Sequence, residues 1–155
     1  MHTLTPTPMD TVETFWGVFD KLRPVDELSV GSDYLFFRSD ISPMWEDPAN
    51  EGGGRWSFCV NRSTRDMSCE KAWTELLLMH VGNTFEMEED LCGVVIGKKK
   101  IYDRLSIWVR QSSKDNIMNI GNRIRSFIGL SKGIPLNFQY HSDVIKGELK
   151  PVYTL

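Results

Sequence analysis

The chain has 155 residues, about one domain's worth and enough to bury a core. Its 18 Lys+Arg against 21 Asp+Glu leave a net charge of −3, which argues against a coat for a long nucleic acid, since that needs a broadly basic surface. At 41% hydrophobic and 25% charged the composition is globular rather than disordered. Three scattered cysteines, Cys59, Cys69 and Cys92, make neither a disulfide framework nor a zinc site, so a reduced, intracellular setting is expected. Five tryptophans in so short a chain are the feature that asks for an account.

Residues 1–9 are polar and carry Pro6 and Pro8, which predicts a flexible lead-in without a signal peptide, followed by a single domain over 10–155. No stretch reaches the roughly 18 apolar residues of a membrane span. Asp10 with Glu13 three residues on reads as a capping-box start, and Val12, Trp16 and Phe19 then recur at helical spacing until Pro24. Tyr34 to Arg38 reads as a short strand, and 39–54, with Pro43, Pro48 and three consecutive glycines, as a loop. Trp56, Phe58 and Val60 alternate with Ser57, Cys59 and Asn61, a half-buried strand.

A second helix is predicted over 69–81, with Trp73, Leu76, Leu77 and His80 facing inward and Gly82 beyond its end. Glu86, Glu88, Glu89 and Asp90 read as a solvated turn. Cys92 to Ile96 is an apolar strand, and Leu105, Ile107 and Val109 alternate in the next, so the two form a hairpin with Lys98, Lys99 and Lys100 at its basic end. A third helix is predicted over 115–128 with Ile117, Ile120, Ile124 and Phe127 or Ile128 as its stripe and Gly129 as its stop. A last strand runs over 136–140, with Leu136, Phe138 and Tyr140 on one face and Asn137, Gln139 and His141 on the other. The fold class is α+β: an antiparallel sheet covered on one face by three helices, its other face free.

The free face of the strand at 104–110 reads Arg104, Ser106, Trp108, Arg110. A tryptophan in register with cations suits a flat, phosphorylated ligand, while packing beneath a loop is the alternative. Trp45, flanked by Pro43 and Pro48 and followed by Glu46, can stack on a base and accept from its edge, or simply anchor its loop. Arg55 follows Gly52, Gly53 and Gly54, but without Lys-Ser/Thr or a following helix this is no P-loop. Catalytic templates fail: His2, His80 and His141 are scattered, His141, Ser142 and Asp143 are adjacent in sequence and define no triad geometry, and Glu46 with Asp47 is a weak candidate for an acid pair. No enzyme, cofactor or metal is expected.

Taken together, Asp10-Thr11-Val12-Glu13-Thr14-Phe15-Trp16, Pro43-Met44-Trp45-Glu46-Asp47, Gly53-Gly54-Arg55-Trp56 and Ile107-Trp108 resemble, in order and spacing, the eukaryotic translation initiation factor 4E family of mRNA cap-binding proteins. The resemblance implies a curved antiparallel sheet with three helices on its convex face and the 7-methylguanosine cap on its concave side. By position it implies that Trp45 stacks on the cap base, Glu46 accepts from the guanine N1 and N2 groups and Trp108 contacts the methyl group. Arg55, Lys99 and Arg104 would hold the phosphates. Val12, Trp16, Glu75, Leu78 and Gly82 would form a dorsal patch for a short helical motif of a scaffold initiation factor or inhibitor protein. Localisation is expected to be cytoplasmic, with a nuclear pool, and no membrane is involved.

Only nine residues precede Asp10 and none is Trp, Tyr or Phe, so the strand pair that precedes this helix in the family, with the second tryptophan of the aromatic sandwich in its loop, is expected to be missing. An unpaired sheet edge, and with it self-association, would follow. Ile101 stands at a basic position of the family and Thr74 at an apolar dorsal one, and the segment after Asp143 is shorter. Two functional readings result: a cap-binding protein that recruits mRNA for translation, or an interaction module or translational repressor with weak or no cap binding.

Overall fold

Antiparallel pairing with a side-chain period of two sorts this chain into a buried face and an open one. In a computed structural model, which describes residues 8–64, 67–82 and 88–155, helix α1 (Val12–Phe19) leads into strand β1 (Asp33–Phe37). Strand β2 (Gly54–Asn61), helix α2 (Cys69–Val81), strand β3 (Leu91–Lys98), strand β4 (Tyr102–Val109) and helix α3 (Lys114–Phe127) follow. Strand β5 (Asn137–Tyr140), a short helix α4 (His141–Ile145) and strand β6 (Tyr153–Thr154) complete the order. The sheet order is β1-β3-β4-β2-β5-β6, with every neighbouring pair antiparallel, so β1 and β6 form the two edges.

The convex face is the core. Trp56, Phe58, Val94, Ile96, Leu105, Ile107, Val109 and Phe138 point to it from β2, β3, β4 and β5. Phe15 of α1, Trp73, Leu76, Leu77 and Met79 of α2, and Ile117, Ile120 and Ile124 of α3 close over it, all as buried residues. Helix α3 packs on the sheet through a glycine. Its Gly121 lies where a Cβ would sit 2.5 Å from the Trp56 ring, and the Trp56 indole N–H donates to the Ile117 carbonyl at 3.0 Å, which satisfies the one polar atom of a fully buried ring.

Some boundaries differ from the sequence reading for local reasons. The α1 N-cap is Thr11, whose hydroxyl oxygen accepts from the Thr14 backbone N–H at 3.1 Å, rather than Asp10. Phe15 is the buried residue of α1, whereas Trp16 and Val12 are exposed. Helix α3 begins at Lys114 because Ser113 caps it. Its end turns at Gly129, φ +60°, where the Leu130 N–H donates to Arg125 O and the Gly129 N–H to Ser126 O, a Schellman closure that favours glycine. Ile128 rather than Phe127 completes the α3 stripe. The acidic turn keeps a 3-10 turn at Glu88–Asp90, while Glu86 lies outside the described residues. Helix α4 and β6 were not foreseen: five and two residues are too short to show a period.

The basic hairpin end needs one correction. Lys98 is 3% exposed, and its ammonium sits 2.8 Å from Asp103, which also takes Arg62 at 2.9 Å. The alternation that sends Lys99 to the open face sends Lys98 inward, and a buried ammonium needs a carboxylate. Removing Asp103 alone strands that charge. Asp103→Ala is expected to lower stability by about 3–5 kcal/mol, and Lys98→Met combined with Asp103→Leu to recover most of the loss, as read from urea unfolding midpoints.

Candidate nucleotide-binding face

Strand register fixes which side chains share the concave face. Across the sheet, Phe37, Gly93, Trp108, Arg55 and Gln139 form one row. Leu35, Val95, Ser106, Ser57 and Asn137 form the next. Asp33, Gly97, Arg104 and Cys59 form a third. Beyond it the backbone N–H of Lys99 donates to Tyr102 O at 3.0 Å, which sets those two residues opposite each other at the hairpin end.

Trp108 is held rather than loose. Phe37 meets it edge-on at 5.3 Å, and the His141 ring lies 4.1 Å from it. Gly93 makes room, because a Cβ there would drive into the Phe37 ring. His141 is buried, with its Nε2 making no hydrogen bond, and burial with the neighbouring Arg55 charge pushes its pKa down to about 4. The ring is therefore neutral near pH 7. It completes the row of Asn137 and Gln139 that the period-two reading had already set on the open face, so the signal was present although no role was attached to it.

Arg55 and Arg104 form a like-charged pair. Burial first, and the charge of Arg104 second, lower the Arg55 pKa from its ordinary value, and the Arg55 Nε has no partner. The guanidinium of Arg104 donates to the Tyr102 phenol oxygen at 3.1 Å, a neutral acceptor. Lys99 lies 3.6 Å from Asp33, both partly exposed, a contact worth little in water. Three cations without a buried counter-charge give this face a positive character that suits an anion with several oxygens.

The loop at 39–53 joins β1 to β2 at the end of the sheet where Phe37, Trp108 and Arg55 lie. Asp47 organises it: one carboxylate oxygen accepts from the Ser42 N–H at 2.8 Å, the other from the Ala49 N–H at 2.9 Å. The Ala49 and Ser42 backbone bonds hold its pKa below the usual carboxylate range. Fully buried Asn50 donates to the Ser42 and Met44 carbonyls at 3.0 and 2.7 Å. Asp47 is thus engaged with the backbone and forms no acid pair with Glu46. Trp45, 49% exposed, and Glu46 stand out on this braced loop. Nothing in the sequence pattern singled out Asn50.

On the convex side Phe36 contacts Phe15 of α1 at 5.9 Å and His80 of α2 at 5.6 Å, which draws the two helices together. Val12, Trp16 and Leu78 remain exposed there, and Trp16 leans edge-on against Phe15 and Phe19. Glu75 lies 3.7 Å from Lys71 through one oxygen while the other is buried without a partner. The Gly82 N–H ends α2 on the Leu78 carbonyl at 2.8 Å. Among the described residues no group of three or more His, Cys, Asp or Glu is placed to hold a metal, and no helix is long and apolar enough to cross a membrane.

An open antiparallel sheet backed by helices, with aromatic and cationic side chains gathered on its concave face, places the chain in the class of sheet domains suited to a flat, phosphorylated ligand. The chain belongs to the eukaryotic initiation factor 4E family, whose model matches residues 3–153. It is 34% identical over 153 residues to Drosophila melanogaster eukaryotic translation initiation factor 4E1, covering 96% of this chain and 59% of that protein. It also spans less than two thirds of the Aplysia californica factor 4E, to which it is 36% identical over 139 residues. Among solved structures it is similar to Ascaris suum eIF4E-3 bound to the m2,2,7G cap, with a TM-score of 0.86 at 33% identity, covering 95% of this chain and 82% of that chain. The C. elegans eIF4E-3 complex with the 4E-binding protein Mextli and a cap analog gives 0.84 at 33% identity, with the same two coverages.

Buried His141 and half-buried His80 give the domain an acid-sensitive window. His80, pushed down to about 4 by burial and the Arg38 charge, and His141 both bind protons more readily unfolded, where the pKa is near 6.5. Between those values the unfolded chain holds more protons, so stability is full above about 6.5 and falls on acidification toward about 4. The thermal midpoint is expected to drop across this window, and to drop less in a His80→Gln, His141→Gln double variant, measured by circular dichroism at pH 7, 5.5 and 4.

Proposed function

We propose that the concave face binds the 7-methylguanosine cap of mRNA, and that the α1–α2 surface takes a short helical motif from a scaffold initiation factor or an inhibitor protein, so that the chain recruits mRNA for translation initiation in the cytoplasm. The observation that carries this reading is the braced Trp45-Glu46 pair at the same end of the sheet as Trp108 and Arg55, with the uncompensated Arg104 two rows along the same face. Methylation at N7 makes guanine a cation, which adds a charge attraction to its stacking on Trp45. The Glu46 carboxylate accepts from the guanine N1 and N2 hydrogens, which adenine cannot supply. Arg55, Lys99 and Arg104 take the phosphates, and Trp108 meets the methyl group. The chemistry is recognition, without a reacting group. The cap and Mextli complexes of the nematode relatives support both halves of this reading.

On the other face Trp16, Val12 and Leu78 offer apolar anchors at helical spacing, with Glu75 and Gly82 beside them. Self-association through the open edge of β1 is carried as part of the same proposal, with light scattering at high concentration as its check; a monomer overturns it.

Titrating tryptophan fluorescence with 7-methylguanosine triphosphate and with GTP is expected to show tighter binding of the methylated nucleotide. Equal affinities or no quenching would overturn cap recognition and leave the interaction-module reading. Trp45→Ala is expected to weaken the methylated nucleotide by about 1–3 kcal/mol, roughly 5- to 150-fold. Trp16→Ala is expected to abolish capture of a helical partner peptide while leaving the nucleotide titration within about twofold of wild type.

A further inference from the structure

The cationic strip does not stop where a triphosphate would. On β4 the open face runs Trp108, Ser106, Arg104, Tyr102, so Tyr102 lies six residues, about 20 Å, from Trp108 along the strand. The Arg104 guanidinium lies 5.7 Å from the centre of the Tyr102 ring and donates to its hydroxyl. Lys99 is opposite Tyr102, and Lys100 stands exposed in the turn between them. Resting on the cap-binding reading, we propose that this hairpin end is a second RNA subsite, in which Tyr102 stacks on a base of the transcript joined to the cap and Lys100, beyond the Lys99 that serves the cap's own phosphates, contacts the phosphate that follows.

The chemistry favours this route over the neighbouring cleft. That cleft, about 210 Å³, shares Arg104 but is otherwise lined by Ser57, Phe58, Cys59, Asn137, Gln139, Leu149 and two prolines, Pro135 and Pro151. Its amides are already engaged: Gln139 donates to the Glu148 and Leu149 carbonyls, and the Asn137 amide oxygen accepts from Thr154. Arg104 is the sole cation among its lining residues, and its one aromatic ring, Phe58, is 1% exposed and packed in the core, whereas the hairpin end supplies a half-exposed Tyr102 ring and the exposed Lys100 ammonium beside Lys99. Single-stranded RNA binds through stacking platforms beside cations. In a chain of net charge −3, Lys99 and Lys100 flanking an aromatic ring are a local reversal of sign.

The test compares 7-methylguanosine triphosphate with an m7G-capped tetraribonucleotide on the wild-type chain and on Tyr102→Leu, Tyr102→Phe and Lys100→Ala. The quantity read is the ratio of the two affinities, which cancels any loss transmitted through Arg104 to the cap itself. Wild type is expected to bind the capped RNA at least about fivefold more tightly. Tyr102→Leu should bring the ratio close to one, Tyr102→Phe should retain it, and Lys100→Ala should reduce the salt slope for the capped RNA by about one. A wild-type ratio of one, with the triphosphate bound, overturns this subsite and leaves cap recognition standing. Failure to bind either ligand overturns both. A ratio that survives Tyr102→Leu but falls in Asn137→Ala routes the strand through the cleft and overturns the assignment to Tyr102.

Discussion

The register of β4 is the constraint on which the rest depends. This strand is paired on both sides, with β3 and β2, and its period of two sends Leu105, Ile107 and Val109 into the core with no exposure while Arg104, Ser106 and Trp108 face the open side. A slip of one residue would bury the arginine and the tryptophan's polar neighbours and expose the core set, so the whole apolar face resists it. The buried Lys98–Asp103 contact adds a second lock at the hairpin. That ion pair stabilises one register more than it stabilises the fold, since two charges left water to make it.

The same alternation creates the electrostatic character of the site. Arg55 and Arg104 sit on adjacent central strands two rows apart on the open face, and after burial the charge of Arg104 adds to the cost of charging Arg55. A site built only for stability would place a carboxylate between them. Here the neighbours are Ser57, Ser106 and the Tyr102 hydroxyl, which satisfy hydrogen bonds without supplying charge. The face therefore carries a like-charge repulsion of the kind that a nearby anion would relieve.

Much of this was legible in the sequence because both periods are strong where they matter. The alternation of Trp56-Phe58-Val60 and Leu105-Ile107-Val109, and the stripe Ile117-Ile120-Ile124, fixed the faces of two strands and a helix, and the open-face list Arg104-Ser106-Trp108 followed from them. What escaped was what period alone does not encode. The bracing of the 39–53 loop rests on a buried amide, Asn50, and on backbone bonds to Asp47, and both residue types are ordinary in loops. His141 was placed on the correct face, but its contact with Trp108 depends on where β5 gives way to α4. Lys98 was grouped with two surface lysines because a run of three like residues hides the one that alternation turns inward.

Edge strand β1 connects the two surfaces through consecutive residues. Phe37 meets Trp108 on the concave side, and Phe36 meets Phe15 and His80 on the convex side, beneath the helices that present Trp16 and Leu78. Among the described residues β1 pairs only with β3, so a small displacement of β1 breaks one ladder rather than two. An interior strand in the same position would transmit nothing without disrupting the core. Contact alone does not couple two sites; coupling requires an element with two arrangements that each ligand prefers differently. Of the strands that touch both surfaces, β1 is the one whose single ladder leaves room for such a second arrangement. If occupancy of one surface alters affinity at the other, the physical route is the Phe36–Phe37 step.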